Sequence, residues 1–164
     1  MRLIAYIGIG SNLNDPVAQV QEAFEALDAI PDSVLVARSS LYSSKPMGPT
    51  DQPDYVNAVA AIDTLLSPQE LLKTLREIED QQGRERAGDK WGPRILDLDL
   101  LLYGKKKINT AELVVPHPGL HERDFVIIPL GEIAGNLNIP GHGPLAVLIK
   151  HCENHSLKKL ITGK

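Results

Sequence analysis

A single cysteine, Cys152, stands among the 164 residues, so no disulfide can form within the chain and nothing points to an oxidising compartment. Aromatic residues are scarce at 4 %, and Asp and Glu outnumber Lys and Arg by 21 to 17, for a formal net charge of −4. Both features argue against a general nucleic-acid binder, which carries a basic domain and exposed rings for stacking. No apolar run approaches the ~20 residues that span a bilayer. The N-terminal LIAYIGIG is short, holds two glycines and leads into a turn, which suits a strand and not a secretion signal. The expectation is a cytoplasmic protein with no membrane and no nucleic-acid partner. The 43 % hydrophobic and 23 % charged content is that of an ordinary globular chain. Without repeats, low-complexity tracts or linkers, residues 1–164 read as one domain.

Positive charge is concentrated locally at residues 84–94. Arg84, Arg86, Lys90 and Arg94 lie in a polar stretch punctuated by Gly83, Gly88, Gly92 and Pro93, so an anionic ligand there should be small. The chain then turns into an apolar run, Ile95 to Tyr103, interrupted only by Asp97 and Asp99 and closed by Gly104. This is a strand pattern with a buried face. Residues two apart on a strand share a face, which puts the two aspartates together with Cα atoms roughly 6–7 Å apart. Leu96, Leu98 and Leu100 take the other face. Two carboxylates among leucines are costly to bury unless neutralised. Mg²⁺ is the natural neutraliser, since it takes one or two carboxylates plus substrate phosphates. Arginine forks suit the phosphate oxygens. The pattern points to chemistry on a polyphosphate; the alternative is an edge strand whose charged face meets water.

Upstream, Leu3 to Ile9 reads as a strand, ending at Gly10-Ser11-Asn12. Asn14 or Asp15 caps a helix with Pro16 at its first position and Val17, Val20, Phe24 and Leu27 on one face. Gly8-Ile9-Gly10 is a poor dinucleotide fingerprint because the third glycine position is Leu13. The glycines either let a ligand approach the backbone or merely reverse the chain. Val34 to Tyr42 reads as a second strand, Ser43 to Pro53 as a loop that is either a lid or a connector, and Asp54 to Leu65 as a third strand. There Asn57 is out of place: its amide either reads the flat polar edge of a ligand or ties down a neighbouring loop. Ser67-Pro68-Gln69-Glu70 is a capping box that opens a helix ending at Gly83. The order β-α-β-β-α-β predicts an α+β, ferredoxin-like core with strands one and three central, helices on one face and the other face open. A C-terminal α/β extension follows: an extended Val114–Pro118, a broken helical segment from Glu122 to Ala134 around Pro129, and a helix from Leu145 to about Leu160. His117 and His121, like His151 and His155, have i, i+4 spacing but no third and fourth ligand for zinc.

The segments AYIGIGSNL (Ala5–Leu13), DQPDYVNAV (Asp51–Val59), QGRER (Gln82–Arg86), WGPRILDLDLLLYG (Trp91–Gly104) and VPHPGLHERDFVIIPLGEIA (Val115–Ala134) are spread along most of the chain. In them it resembles the 6-hydroxymethyl-7,8-dihydropterin pyrophosphokinases of folate biosynthesis. The resemblance implies transfer of the pyrophosphoryl group of ATP to the pterin hydroxymethyl group, with AMP released, by a monomer. It implies two Mg²⁺ ions on Asp97 and Asp99, with Arg84 and Arg94 completing the catalytic set. For the pterin it implies Ser44, Met47, Tyr55, Asn57, Trp91 and Phe125. For ATP it implies Glu79, Arg84, Arg86, Arg94, Leu100, His117 and Arg123, with the loops Ser43–Pro53 and Gly83–Pro93 closing over both substrates. Arg76, Glu112 and Pro118 depart from the family pattern. A nucleotidyl transferase would also use a D-x-D pair but release pyrophosphate. A ferredoxin-like RNA-binding or regulatory domain has no use for paired carboxylates beside arginines.

Overall fold

Leu3–Ser11 forms β1, the central strand on which the other elements are assembled. The structure, a computed structural model, describes residues 3–12, 15–44, 54–82, 96–152 and 157–160. Helix α1 (Pro16–Asp28) starts where Asp15, at φ 61°, turns its carboxylate to accept the Ala18 N–H at 3.5 Å, and it buries Val20, Ala23, Phe24 and Leu27. Strands β2 (Ser33–Arg38), β3 (Tyr42–Ser44) and β4 (Tyr55–Thr64) follow. Helix α2 (Pro68–Gln82) opens on the expected reciprocal pair, Ser67 N–H to Glu70 Oε1 at 2.9 Å and Glu70 N–H to Ser67 Oγ at 3.1 Å. The chain then enters β5 (Asp97–Tyr103).

In the main sheet β5 pairs with β1, β1 with β4, and β4 with both β2 and β3, all antiparallel. The expected second strand is thus two strands on one edge of β4. Its interruption has a local cause: Ser39 donates its N–H to Val59 O at 2.8 Å, and its hydroxyl accepts the Val59 N–H at 2.9 Å. A side chain has replaced one rung of the ladder, and the strand breaks there.

Beyond β5, a small hairpin pairs β6 (Ile108–Asn109) with β7 (Val114–Val115), and the Val115–Pro116 peptide is cis. A 3₁₀ turn (Leu120–Glu122) leads into α3 (Asp124–Ala134). The break in this segment falls at Arg123, which is extended at φ −114°, and not at Pro129, which lies buried inside the helix. Strands β8 (Asn138–Ile139) and β9 (Gly143–Pro144) form a second hairpin. The expected long terminal helix is short: α4 runs only from Leu145 to His151, and β10 (Lys158–Lys159) pairs with β3 instead. Leu160 N–H to Leu41 O at 2.8 Å extends that pairing.

Burial falls on both faces of the sheet. Ile7, Ile9, Val56, Ala58, Ala60, Ile62, Leu98 and Leu100 pack with α1 and α2 in one core. Val59, Leu101 and Leu102 pack with Leu120, Ile127, Leu130 and Leu145 in a second. The second face is therefore not open along its length, as the sequence led one to expect. Helices α3 and α4 cover part of it, and Gly10, Tyr55 and Asp97 lie near the ends of β1, β4 and β5. Among the described residues no helix is long and apolar enough to cross a membrane.

Candidate active site

The register of the sheet aligns the chemistry. Asp97 lies opposite Gly10, Gly10 opposite Asn57, and Asn57 opposite Tyr42, one row across β5, β1, β4 and β3. In the next row Asp99 lies opposite Gly8, and Gly8 opposite Val59. The G-x-G of β1 is thus in step with the D-x-D of β5, and both glycines lie inside the strand and not in a turn. Two strand spacings separate Asp97 from Asn57, about 10 Å, with no side chain on the strand between. A Cβ at Gly10 would lie 3.3 Å from Asn57 Oδ1 and 3.7 Å from Tyr55 Cδ1. The missing side chain is what lets the amide and the ring stand beside the carboxylates.

At the β4 end, Asn57 is buried at 5 % exposure, and its Nδ2 donates to Ser44 Oγ at 2.6 Å. The second N–H and Oδ1 of the amide are the groups a ligand can use. Tyr55 is on the same face two residues earlier, half-buried, opposite Ser44. Phe125, in the first turn of α3, packs partly buried on the second core. Arg123 lies over Gly119, where a Cβ would come within 2.7 Å of its Nε, and its guanidinium carbon is 5.7 Å from the Phe125 ring centroid.

At the β5 end, His117 is fixed through its own backbone and ring. Its N–H donates to Leu101 O at 3.0 Å, and its Nδ1 accepts the Gly119 N–H at 3.2 Å. An Nδ1 that accepts places the proton of a neutral imidazole on Nε2, and Nε2 lies 4.0 Å from Asp99 Oδ1. Burial, aided by the Arg123 charge and opposed by Asp97, holds the imidazole below its ordinary pKa. A neutral N–H donor therefore faces the carboxylate pair.

Glu79 and Leu100, both expected nucleotide contacts, are buried. Both are on the helix side of the sheet, because Leu98 and Leu100 alternate with the aspartates and point toward α2, whereas past a register shift Leu102 joins the second core. Leu100 belongs to the first core. Glu79 is 3 % exposed; its Oε2 accepts the Leu98 N–H at 2.7 Å and its Oε1 meets Arg76 Nη1 at 2.8 Å. Arg76 Nη1 in turn donates to Leu98 O at 3.0 Å and lies in the field of Asp99 and Asp97. Arg76 and Glu79, three apart on α2, thus hold both backbone groups of the residue between the two aspartates. Sequence reading treats Arg76 only as a departure from a pattern. Its spacing from Glu79 on one helix face was the available signal. Met47, Arg84, Arg86, Trp91 and Arg94, and the bulk of both expected lids, lie outside the described residues. Of the histidine pairs considered for zinc, His117 faces Asp99 whereas His121 stacks on His142 at 4.3 Å between ring centroids, and His155 of the other pair lies outside the described residues.

Residues 6–135 match the model of the family 7,8-dihydro-6-hydroxymethylpterin-pyrophosphokinase. A 2-amino-4-hydroxy-6-hydroxymethyldihydropteridine pyrophosphokinase of Haemophilus influenzae is 50 % identical over 96 % of this chain and 98 % of its own. One of Pseudomonas aeruginosa is 44 % identical over 94 % of this chain and 95 % of its own. Among solved structures, wild-type HPPK-DHPS of Plasmodium falciparum with pteroate matches with a TM-score of 0.73 at 12 % identity, over 92 % of this chain and 42 % of that one. An HPPK-DHPS in complex with substrates matches with a TM-score of 0.74 at 12 % identity, over 99 % and 48 %. The chain spans about half the length of these structures, and at such identities they speak for the fold alone. On the family match and the near-full-length relatives, this chain belongs to the 7,8-dihydro-6-hydroxymethylpterin-pyrophosphokinase family.

Proposed function

We propose that the chain transfers the pyrophosphoryl group of ATP to the hydroxymethyl oxygen of 6-hydroxymethyl-7,8-dihydropterin. The pterin oxygen bonds to the β-phosphorus, the bond from that phosphorus to the α,β-bridging oxygen breaks, AMP leaves with the bridging oxygen, and the hydroxyl proton passes to solvent. The observation that carries this reading is the row Asp97–Gly10–Asn57. A carboxylate pair and a heterocycle-reading amide share one sheet face, with a bare strand between them where an alcohol can meet a phosphate. The order β5, β1, β4, β2 with α1 and α2 on one face supports assigning the core to the ferredoxin-like arrangement.

Asp97 and Asp99 fit Mg²⁺: two oxygen donors on one face, opposite glycines that leave room for phosphate and water. Two such ions, when bound, supply charge neutralisation and a lowered pKa for the attacking hydroxyl. The chain's own residues do the rest. Tyr55 and Phe125 stack on the pterin, which adds to burial, and Asn57 reads its polar edge together with Ser44. Trp91 and Met47 are the further pterin contacts that the family resemblance implies. His117 donates its Nε2–H to a phosphate oxygen, and Arg123, Arg84, Arg86 and Arg94 balance the charge that develops as AMP departs. Glu79 serves the nucleotide through β5. Leu100 offers only its backbone, two residues beyond Leu98 and facing the same outer edge.

Product analysis with purified protein, ATP, Mg²⁺ and the pterin tests the reading. AMP and pterin pyrophosphate should appear in equal amounts and only when the pterin is present. Release of inorganic pyrophosphate instead would make the chain a nucleotidyl transferase.

A further inference from the structure

Glu132 sits at the far end of α3 from Phe125, seven residues on and so about 10 Å along the axis on the same face. It gathers four groups from outside its helix. Oε1 accepts the Ser40 N–H at 2.9 Å and the Tyr42 hydroxyl at 3.0 Å, Oε2 accepts the Ser40 hydroxyl at 2.6 Å, and Lys159 Nζ lies 3.7 Å from Oε2. Ser40 lies in the break between β2 and β3, Tyr42 begins β3, and Lys159 belongs to β10, which pairs with β3. One carboxylate therefore fixes the path of β3. That strand is three residues long, too short to hold its own register firmly. Its last residue, Ser44, holds the Asn57 amide, while Tyr42 stands opposite Asn57 in the ladder and is itself buried.

We propose that Glu132 is a positioning residue for pterin recognition: by locking β3 to α3 it sets Ser44, and through Ser44 the rotamer of Asn57, at a fixed distance from the Phe125 wall. The carboxylate touches no substrate. It links the two walls of the pterin slot, one on the sheet and one on the helix, so that they move as a unit. The proposal rests on the pterin reading of Asn57 given above.

The test is steady-state kinetics with the pterin and ATP varied separately, on Glu132→Ala, Glu132→Gln, Tyr42→Phe, Asn57→Ala and the double variant Asn57→Ala/Glu132→Ala. Glu132→Ala should raise the pterin KM about tenfold and leave the ATP KM within about twofold. Tyr42→Phe, which removes one of the bonds and keeps the ring, should raise the pterin KM by a smaller factor. The double variant should be no worse for pterin than Asn57→Ala alone, because the two act on one contact. Equal changes in both KM values, no change in either, or independent losses in the double variant would overturn the proposal and leave Glu132 a purely structural residue. Should Glu132→Ala fail to fold, Glu132→Gln and Tyr42→Phe carry the same KM split. An unchanged pterin KM in Asn57→Ala would instead remove the pterin reading itself. A raised one in Asn57→Ala, with Glu132→Gln and Tyr42→Phe both at the native value, would remove the Glu132 proposal alone.

Discussion

Glu79 gives the sharpest test of how the carboxylate pair is held, because alanine and glutamine at this position remove different things. Its buried Oε2 takes the Leu98 N–H at 2.7 Å, and its Oε1 pairs with Arg76, whose side chain is 47 % exposed. A hydrogen bond to a charged group contributes about 1.5–3 kcal/mol net, and the donor left behind carries its own desolvation cost. The half-exposed arginine can return to water, so its share is about 0–1 kcal/mol. The regained solvation of an absent carboxylate offsets part of the sum. Glu79→Ala should therefore cost about 2–3 kcal/mol, or roughly 4–12 °C in Tm for a chain of this size. Glu79→Gln retains an acceptor for Leu98 and should cost under about 1 kcal/mol. Urea titration by circular dichroism gives the stabilities, and AMP formation gives kcat. In Glu79→Ala kcat should fall about tenfold or more with the pterin KM unchanged, since Leu98 lies between Asp97 and Asp99. Equal stabilities for the two variants would refute the hydrogen-bond argument. Lost stability with native kcat in Glu79→Ala would refute the idea that Leu98 positions the pair.

Asp97→Asn and Asp99→Asn should each lower kcat by about 10³-fold, or ~4 kcal/mol of barrier, with little change in pterin affinity because Asn57 stands two strands away; rates within tenfold of native at saturating Mg²⁺ would unseat the metal assignment. Gly10→Ala puts a Cβ 3.3 Å from Asn57 Oδ1, tighter than ordinary contact, and should raise the pterin KM about tenfold in a folded protein with a native ATP KM; a native pterin KM would show that the amide has room to give. Burial, then the hydrogen bond and charge of Glu132, push the Tyr42 hydroxyl up to about 12 from 10.0. A folded value above the unfolded one means that this stabilisation is complete below pH 10 and is lost as pH rises to about 12. Tyr42→Phe should therefore flatten the fall of Tm in that window, and an unchanged alkaline limb would count against it. Glu132 runs the other way: against the cost of burial, the bonds from Ser40 and Tyr42 and the Lys159 charge hold its carboxyl below the usual range. Its contribution is present above the unfolded value near 4.5 and is lost as pH falls through the folded one. Glu132→Gln should remove that acid step, as seen in Tm between pH 3 and 6.

Elements set by local chemistry were legible in the chain. The capping box at Ser67 and Glu70, the Asp15-Pro16 helix start and the period-two leucines around Asp97 and Asp99 all depend on neighbours a few residues apart. The elements that were misread depend on distant partners. Ser39 breaks a strand only because Val59 lies beside it, and Lys158 and Lys159 leave a helical path only because β3 offers an edge. Pro129 reads as a breaker, yet a proline that is buried against a core can be carried inside a helix whose packing outweighs one lost bond. At the site, the aspartates and Asn57 stand out as polar residues in apolar strands. Glu79 and Arg76 do not, since charged residues on a helix are ordinary until the strand beneath them is known.

The grip of α2 on Leu98 also bears on the edge of the sheet. Among the described residues β5 ends its sheet, and a terminal strand is normally a template on which a foreign strand can add. Here the outward N–H and C=O of Leu98, near the start of that template, are already spoken for by Glu79 and Arg76. A neighbouring chain could add there only by prising off the two side chains that hold the aspartates in place. Aggregation through this edge and turnover at this site therefore exclude one another, and any mutation that frees Leu98 should be read in a solubility assay as readily as in a kinetic one.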